Sequence, residues 1–205
     1  MSVELEYKLG ISDPRLLEQI LFDPQVAEIR KENYTMIHMA TVYYDTPDKQ
    51  LGARRWTLRL RQENDRLVAT LKTPAQGRAR GEWECPADSI QAAIPLLLEA
   101  GAPAELSDIL EEQPLIPVCA AQFTRRVAPL SFADGTVCEL CGDVGTLVGG
   151  TEEEDFCELE LELKSGAEET VGAFAAELMD RFDLSEETRS KFARAAALAN
   201  RGNRP

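Results

Sequence analysis

Residues 3–10 alternate without a break: Val3, Leu5, Tyr7 and Leu9 fall on one face, and Glu4, Glu6 and Lys8 on the other. A period of two predicts a half-buried strand. The period then lengthens, and Asp13-Pro14 opens a helix running to about residue 21, with proline in the first turn. β-Branched and aromatic residues over 37–44 predict a second strand, ended by the turn Asp45-Thr46-Pro47-Asp48. Residues 56–62 and 67–72 read as a hairpin about Glu63-Asn64-Asp65-Arg66, and 80–85 as a further strand. Residues 89–112 are helical in pattern, interrupted at Gly101-Ala102-Pro103. Extended segments resume over 118–127, 136–141 and 156–164, and residues 149–155 read as an acidic, solvated hairpin. Two amphipathic helices follow, over 168–182 and 186–200, the second with Ser185 as its N-cap.

About eight strands with helices before, between and after them predict an α+β fold, an antiparallel sheet closed into a barrel with helices packed outside. One domain over 1–205 is expected, since no linker or solenoid repeat interrupts the pattern. The charged strand faces recur. Arg59 and Arg61 share a face opposite Trp56, Leu58 and Leu60; Arg80, Glu82 and Glu84 share another; Glu158, Glu160, Glu162 and Lys164 share a third. Either these charges are wet and the apolar faces fill a barrel, or the barrel is inside out, with charges lining a lumen. Helices with apolar stripes need a surface to bury against, and acidic and basic strands are kept distinct, which favours the second arrangement.

Composition narrows the picture. The chain has 205 residues, 44% hydrophobic and 28% charged, which is ordinary globular chemistry. No apolar run is long enough to span a bilayer, and the acidic start does not resemble a secretory signal, so a cytoplasmic protein is expected. The net charge of −14 disfavours nucleic acid and anionic membranes as partners. Five cysteines at irregular spacing argue against a disulfide framework. Cys138 and Cys141 form a lone C-x-x-C whose side chains would point to opposite faces of a strand, so zinc is not expected.

The inside-out arrangement carries chemistry. Carboxylates at i and i+2 on a strand lie about 7 Å apart, with a neighbouring strand about 5 Å away. Glu4 and Glu6 beside Glu158, Glu160 and Glu162 would form an oxygen-only cluster suited to Mg²⁺ or Mn²⁺. Opposite them, Lys8, Arg59, Arg61, Lys72 and Arg125 offer ammonium and guanidinium groups for phosphate oxygens. Metal on one wall and cations on the other describe a polyphosphate site.

The sequence resembles the CYTH, or triphosphate tunnel metalloenzyme, superfamily along nearly its whole length. Glu4-Leu5-Glu6-Tyr7-Lys8 is similar to its E-x-E-x-K signature, and Tyr43-Tyr44-Asp45-Thr46-Pro47-Asp48 to its Y-[YF]-D-T-P segment. Leu58-Arg59-Leu60-Arg61, Thr70-Leu71-Lys72 and Arg80-Gly81-Glu82-Trp83-Glu84 resemble its R-x-R, T-x-K and R-x-E-x-E strands. Glu139 and Asp143 fall where the family has an acidic strand ending in Asp. Residues 157–163 resemble its late E-x-E-x-E strand, and Ser190-Lys191 with Arg194 the basic patch of its terminal helix. One departure stands out: many members have K-x-R where this chain has Phe123-Thr124-Arg125.

The resemblance, closest to the bacterial inorganic triphosphatase branch, implies a closed eight-stranded tunnel and metal-dependent hydrolysis of a small triphosphate. It implies metal ligation by Glu4, Glu6, Glu158, Glu160 and Glu162. Substrate contacts are expected from Lys8, Arg59, Arg61, Lys72, Arg80, Arg125 and Lys191. Glu4, Glu6, Lys8, Arg59 and Arg61 form the expected catalytic core. Glu82, Glu84 and Glu139 would balance the lumen's cations. Rival readings keep the fold but change the chemistry, as a class IV-type adenylate cyclase or a thiamine triphosphatase, or make the chain a non-catalytic polyphosphate- or nucleotide-binding module.

Overall fold

The computed structural model describes residues 2–74 and 80–202, with the side chains of residues 2–4, 80, 112 and 202 outside the described set. The alternating first segment forms two strands, β1 (Ser2–Glu4) and β2 (Glu6–Gly10). Helix α1 (Pro14–Leu21) begins where Asp13 accepts the backbone N–H groups of Arg15 at 2.7 Å and Leu16 at 3.2 Å. The same Asp-Pro device at Asp23 starts the short α2 (Pro24–Ile29). Strand β3 (Thr35–Asp45) and the one-turn α3 (Gln50–Ala53) lead into the meander β4 (Thr57–Glu63), β5 (Arg66–Pro74) and β6 (Arg80–Pro86). Helices α4 (Ile90–Glu99) and α5 (Glu105–Glu112) flank the predicted break at Gly101, whose φ is 91°. The long strands β7 (Ile116–Ser131), β8 (Val137–Gly149) and β9 (Glu152–Ser165) follow, then α6 (Glu168–Phe182), the two-residue β10 (Ser185–Glu186) and α7 (Lys191–Gly202).

All neighbours in the sheet are antiparallel, in the order β1-β6-β5-β4-β3-β7-β8-β9-β2-β10. The expected closed eight-stranded barrel is therefore corrected to an open, rolled sheet. The physical reason lies in the first strand. Its first half pairs with β6, Val3 opposite Gly81, and its second half with β9, Lys8 opposite Glu160. Among the described residues, no row of hydrogen bonds passes from β6 through to β9. Only Leu5 separates the two halves, and its carbonyl accepts from the Leu163 N–H at 2.9 Å. The ends of the sheet are thus held together by the chain itself.

The inside-out arrangement is the one adopted. Leu9, Leu140, Leu159 and Leu161 pack outward under α1 and α6, with Leu17, Leu21 and Phe174. Leu58, Ala69, Leu71 and Trp83 pack outward under α4 and α5, with Leu97 and Leu106. Truncating one of these fully buried leucines to alanine should cost about 2–5 kcal/mol. A third cluster joins α7 to β7, β8 and β9 through Phe123, Phe156, Leu147, Ala195 and Leu198. Gly149 lets α7 approach: a side chain there would strike the helix backbone at Ala195 and Ala199.

Two local expectations are corrected. The last helix starts at Lys191 rather than 186, because Ser185 and Glu186 pair with Gly10 and Leu9 of β2. Ser190, not Ser185, caps it, accepting the Ala193 N–H at 3.1 Å. Residues 152–155 belong to β9 rather than to a loop, paired with β8 from Gly149 to Thr146. Cys138 and Cys141 lie opposite Leu163 and Glu160, hence on opposite faces of the sheet, and all five cysteines are free.

Candidate active site

The concave face of the sheet encloses a cavity of about 250 Å³. Register explains its lining. Glu6 stands opposite Glu162, Lys8 opposite Glu160, and Glu139 opposite Glu162, so one wall is a block of carboxylates on β2, β8 and β9. Across the cavity, Arg59 faces Thr70 and Thr57 faces Lys72, which puts the guanidinium groups of β4 beside the ammonium of β5. Arg125 on β7 and Lys191 from α7 complete the lining between these walls.

The charges hold one another in place. Lys72 lies 3.3 Å from Glu82 and Arg59 3.7 Å from Glu84, which also accepts from Thr70 at 2.8 Å. Arg61 donates Nε to Thr41 at 2.9 Å. Arg125 grips Asp143 with two parallel bonds of 2.8 and 2.7 Å and reaches Glu160 as well. Lys191 meets three carboxylates, Asp143 at 2.7 Å, Glu160 at 3.0 Å and Glu158, and Arg194 also binds Glu158.

The sequence profile of the CYTH domain matches residues 2–196. The chain belongs to the CYTH domain family. This CYTH chain is 27% identical over 205 residues to an inorganic triphosphatase of Haemophilus influenzae, covering 98% of itself and 56% of that protein. It is 28% identical over 196 residues to an uncharacterised protein of Mycobacterium tuberculosis, covering 87% of itself and 36% of that protein. The CYTH chain thus spans about half, or less, of the length of the curated relatives it matches. A Hippeastrum structure, described as a candidate adenylyl cyclase with a dominant triphosphatase activity, superposes with a TM-score of 0.63 at 18% identity, over 96% of each chain. A candidate adenylate cyclase from Bacillus halodurans superposes with a TM-score of 0.61 at 21% identity, over 95% of this chain and 98% of that one. These two likenesses establish the fold.

Burial and charge set the electrostatics of the CYTH cavity. Burial together with the like charge of Arg59 lowers Arg61 to about 10, which leaves it cationic at neutral pH. Burial works against the charge of Lys8, but Glu160, Glu6 and Glu158 outweigh it and raise the ammonium's pKa. Burial likewise opposes the Glu160 carboxylate, yet Lys191, Arg125 and Lys8 pull it well below the usual range. Nε of Arg59 is buried and, among the described residues, has no hydrogen-bond partner.

The CYTH cavity brings together Glu6, Lys8, Arg59, Arg61, Lys72, Arg125, Glu160, Glu162 and Lys191, nine of the residues singled out in the sequence. Glu158 does not line it. Its carboxylate is fully buried behind the wall, on Lys191 and Arg194. The backbones of Glu4 and Arg80 are register partners, while their side chains lie outside the described residues. Asp143, Glu158 and Glu160 form a buried trio whose oxygens are close enough to hold a metal ion. Lys191, Arg125 and Arg194 pair with the trio, while Glu6 and Glu162 line the cavity with Lys8 and Lys164 beside them. The donors there are all oxygen, which fits a hard divalent ion. Sequence reasoning did not single out Thr41 for the site, and it placed Arg194 in the basic patch of the terminal helix without giving it a contact. Arg194 follows Lys191 by three residues, the helical spacing that puts both on one face.

Proposed function

We propose that this CYTH chain hydrolyses inorganic triphosphate to pyrophosphate and phosphate, with Mg²⁺ or Mn²⁺. The observation that carries the reading is the meeting of two opposed walls, carboxylates on β2 and β9 and cations on β4, β5 and β7, within one cavity of about 250 Å³. Arg59, Arg61, Lys72 and Arg125 would grip the nonbridging oxygens, and their shared place in the cavity lining supports that role. Lys8 stands at the edge of the carboxylate wall, 3.2 Å from Glu6, and would orient the phosphoryl group under attack. Glu4, Glu6, Glu160 and Glu162 would hold the divalent ion, which when bound lowers the pKa of water and draws charge from phosphoryl oxygen. Water's oxygen bonds to the terminal phosphorus as the bridging P–O bond breaks. The charge that builds on the departing pyrophosphate would be met by the guanidinium groups of β4. The Haemophilus relative's description as an inorganic triphosphatase supports this reading.

The test is phosphate release from inorganic triphosphate, ATP, thiamine triphosphate and long polyphosphate, with each metal. A kcat/KM highest for inorganic triphosphate is expected, because most of the described residues that line the cavity are charged. Cyclic AMP as the product from ATP would replace the reading with a cyclase. Tight binding without release would replace it with a binding module.

A further inference from the structure

Phe123 occupies an inward register position on β7, two residues before Arg125, an apolar side chain on the same strand face as that cation. Its cross-strand partner on β8 is Gly145, and Gly145 is in turn the partner of Phe156 on β9. With no side chain between them, the two rings meet above the glycine, edge to face, centroids 5.7 Å apart. A Cβ on Gly145 would collide with the Phe123 backbone and side chain.

Cations lie over this aromatic pair. Lys191 Nζ is 4.9 Å from the Phe123 centroid, Arg61 Cζ 5.5 Å and Arg125 Cζ 5.8 Å. Lys191 and Arg194 also lie over Phe156, at 5.4 and 5.2 Å. These separations are within the range where the ring quadrupole attracts a cation, and burial removes the water that would weaken the attraction. The cations differ in what else secures them. Arg125 and Lys191 are tied to Asp143 and Glu160, and Arg194 to Glu158. Arg61, among the described residues, makes no ion pair; its anchors are Thr41 and the Phe123 face.

We propose that Phe123 is a positioning residue that holds the Arg61 guanidinium toward the cavity. The ring places a partially negative face beneath a guanidinium that is crowded by the like charges of Arg59 and Arg125. A carboxylate there would fix Arg61 too, but it would cancel the charge needed for an anion. The aromatic face steadies the guanidinium and leaves its charge available. For the triphosphate this deepens the function proposed above and rests on it; for the order of Arg61 itself it does not.

The test uses Phe123→Leu and Phe123→Met, both apolar and neither carrying a ring, so that failure of one to fold leaves the other. In substrate-free protein, the Arg61 Nε–H resonance should be protected in wild type and lost or broadened in the variants. For inorganic triphosphate, kcat/KM should fall about 3- to 30-fold, the kinetic equivalent of a buried cation–π contact. In an Arg61→Ala background the same change at 123 should have no further effect on kcat/KM. A variant that keeps the protected Arg61 signal, or an undiminished kcat/KM effect without Arg61, overturns the proposal. Wild type that releases no phosphate would sink the proposed function, and the resonance would still decide the role of Phe123.

Discussion

Arg59 and Arg61 point into the same cavity two residues apart on β4, yet Arg61 spends its Nε on Thr41 at 2.9 Å while the Nε of Arg59 is buried without a partner. Arg54 and Arg55, just before the strand, are exposed. Arg59→Ala and Arg61→Ala should each lose about 2–4 kcal/mol of transition-state stabilisation for inorganic triphosphate, roughly 30- to 1000-fold in kcat/KM. Arg54→Ala and Arg55→Ala should stay within about threefold of wild type. Equal losses at all four positions would place the β4 arginines outside the reaction.

Glu6 and Glu162 face each other across the β2–β9 ladder. Each is partly open to the cavity, and each has a lysine close by, Lys8 at 3.2 Å and Lys164 at 2.8 Å. Glu6→Gln and Glu162→Gln keep side-chain volume and remove one metal-seeking charge. Metal-dependent phosphate release should fall about 100-fold or more, with the thermal midpoint little changed. Wild-type turnover in both variants would move the metal elsewhere.

Lys191 is 6% exposed and touches three buried carboxylates. Lys191→Met strips their shared cation and should destabilise the protein by about 3–5 kcal/mol, since charge is left uncompensated in the interior. Adding Glu158→Gln removes one of the stranded charges and should restore part of that loss. Urea unfolding of the single and double variants measures both numbers. A double variant no more stable than Lys191→Met would show that Glu158 is not the group that Lys191 balances.

Glu187 accepts the Arg189 guanidinium at 3.0 and 2.7 Å and its backbone N–H at 2.9 Å, and these bonds hold its carboxyl down at about 2. An unfolded glutamate titrates near about 4.3. The folded pKa is depressed, so the contribution to stability is complete above that value and fades as the pH falls towards 2. Glu187→Gln should therefore be less stable than wild type at pH 7, with the gap closing through the window between those two values. Denaturation midpoints at pH 7, 4 and 2.5 report it. A gap independent of pH would assign the loss to packing.

The strand faces were readable from sequence because alternation with a period of two fixes side-chain direction once a strand exists. Arg59 and Arg61, and Glu160 and Glu162, reach one cavity for that reason. Parity is silent on depth, however. Glu158 shares the face of Glu160 but sits beyond the cavity, where α7 inserts Lys191 and Arg194, a contact between segments 33 and 36 residues apart. Helix α2 and strand β10 escaped notice because six residues and two give no period to detect. The open sheet was hidden for a different reason. An unbroken alternation over residues 3–10 looks like one strand, and only the partners on either side reveal that it is two.

That division at Leu5 has a consequence for synthesis. The β2 half finds its β9 partner only when residues 158–162 exist, although the β1 half can pair with β6 after residue 82. At ordinary elongation rates the interval from β2 to β9 is on the order of ten seconds, during which the charged face of β2 must stay soluble without its neighbour. Glu6 and Lys8 serve that wait as well as the finished cavity, because a charged strand edge resists premature association with other nascent chains. Strand β9 therefore completes the pairing of β2 long after β2 itself is made, and the buckle is fastened only once residues 158–162 have left the ribosome.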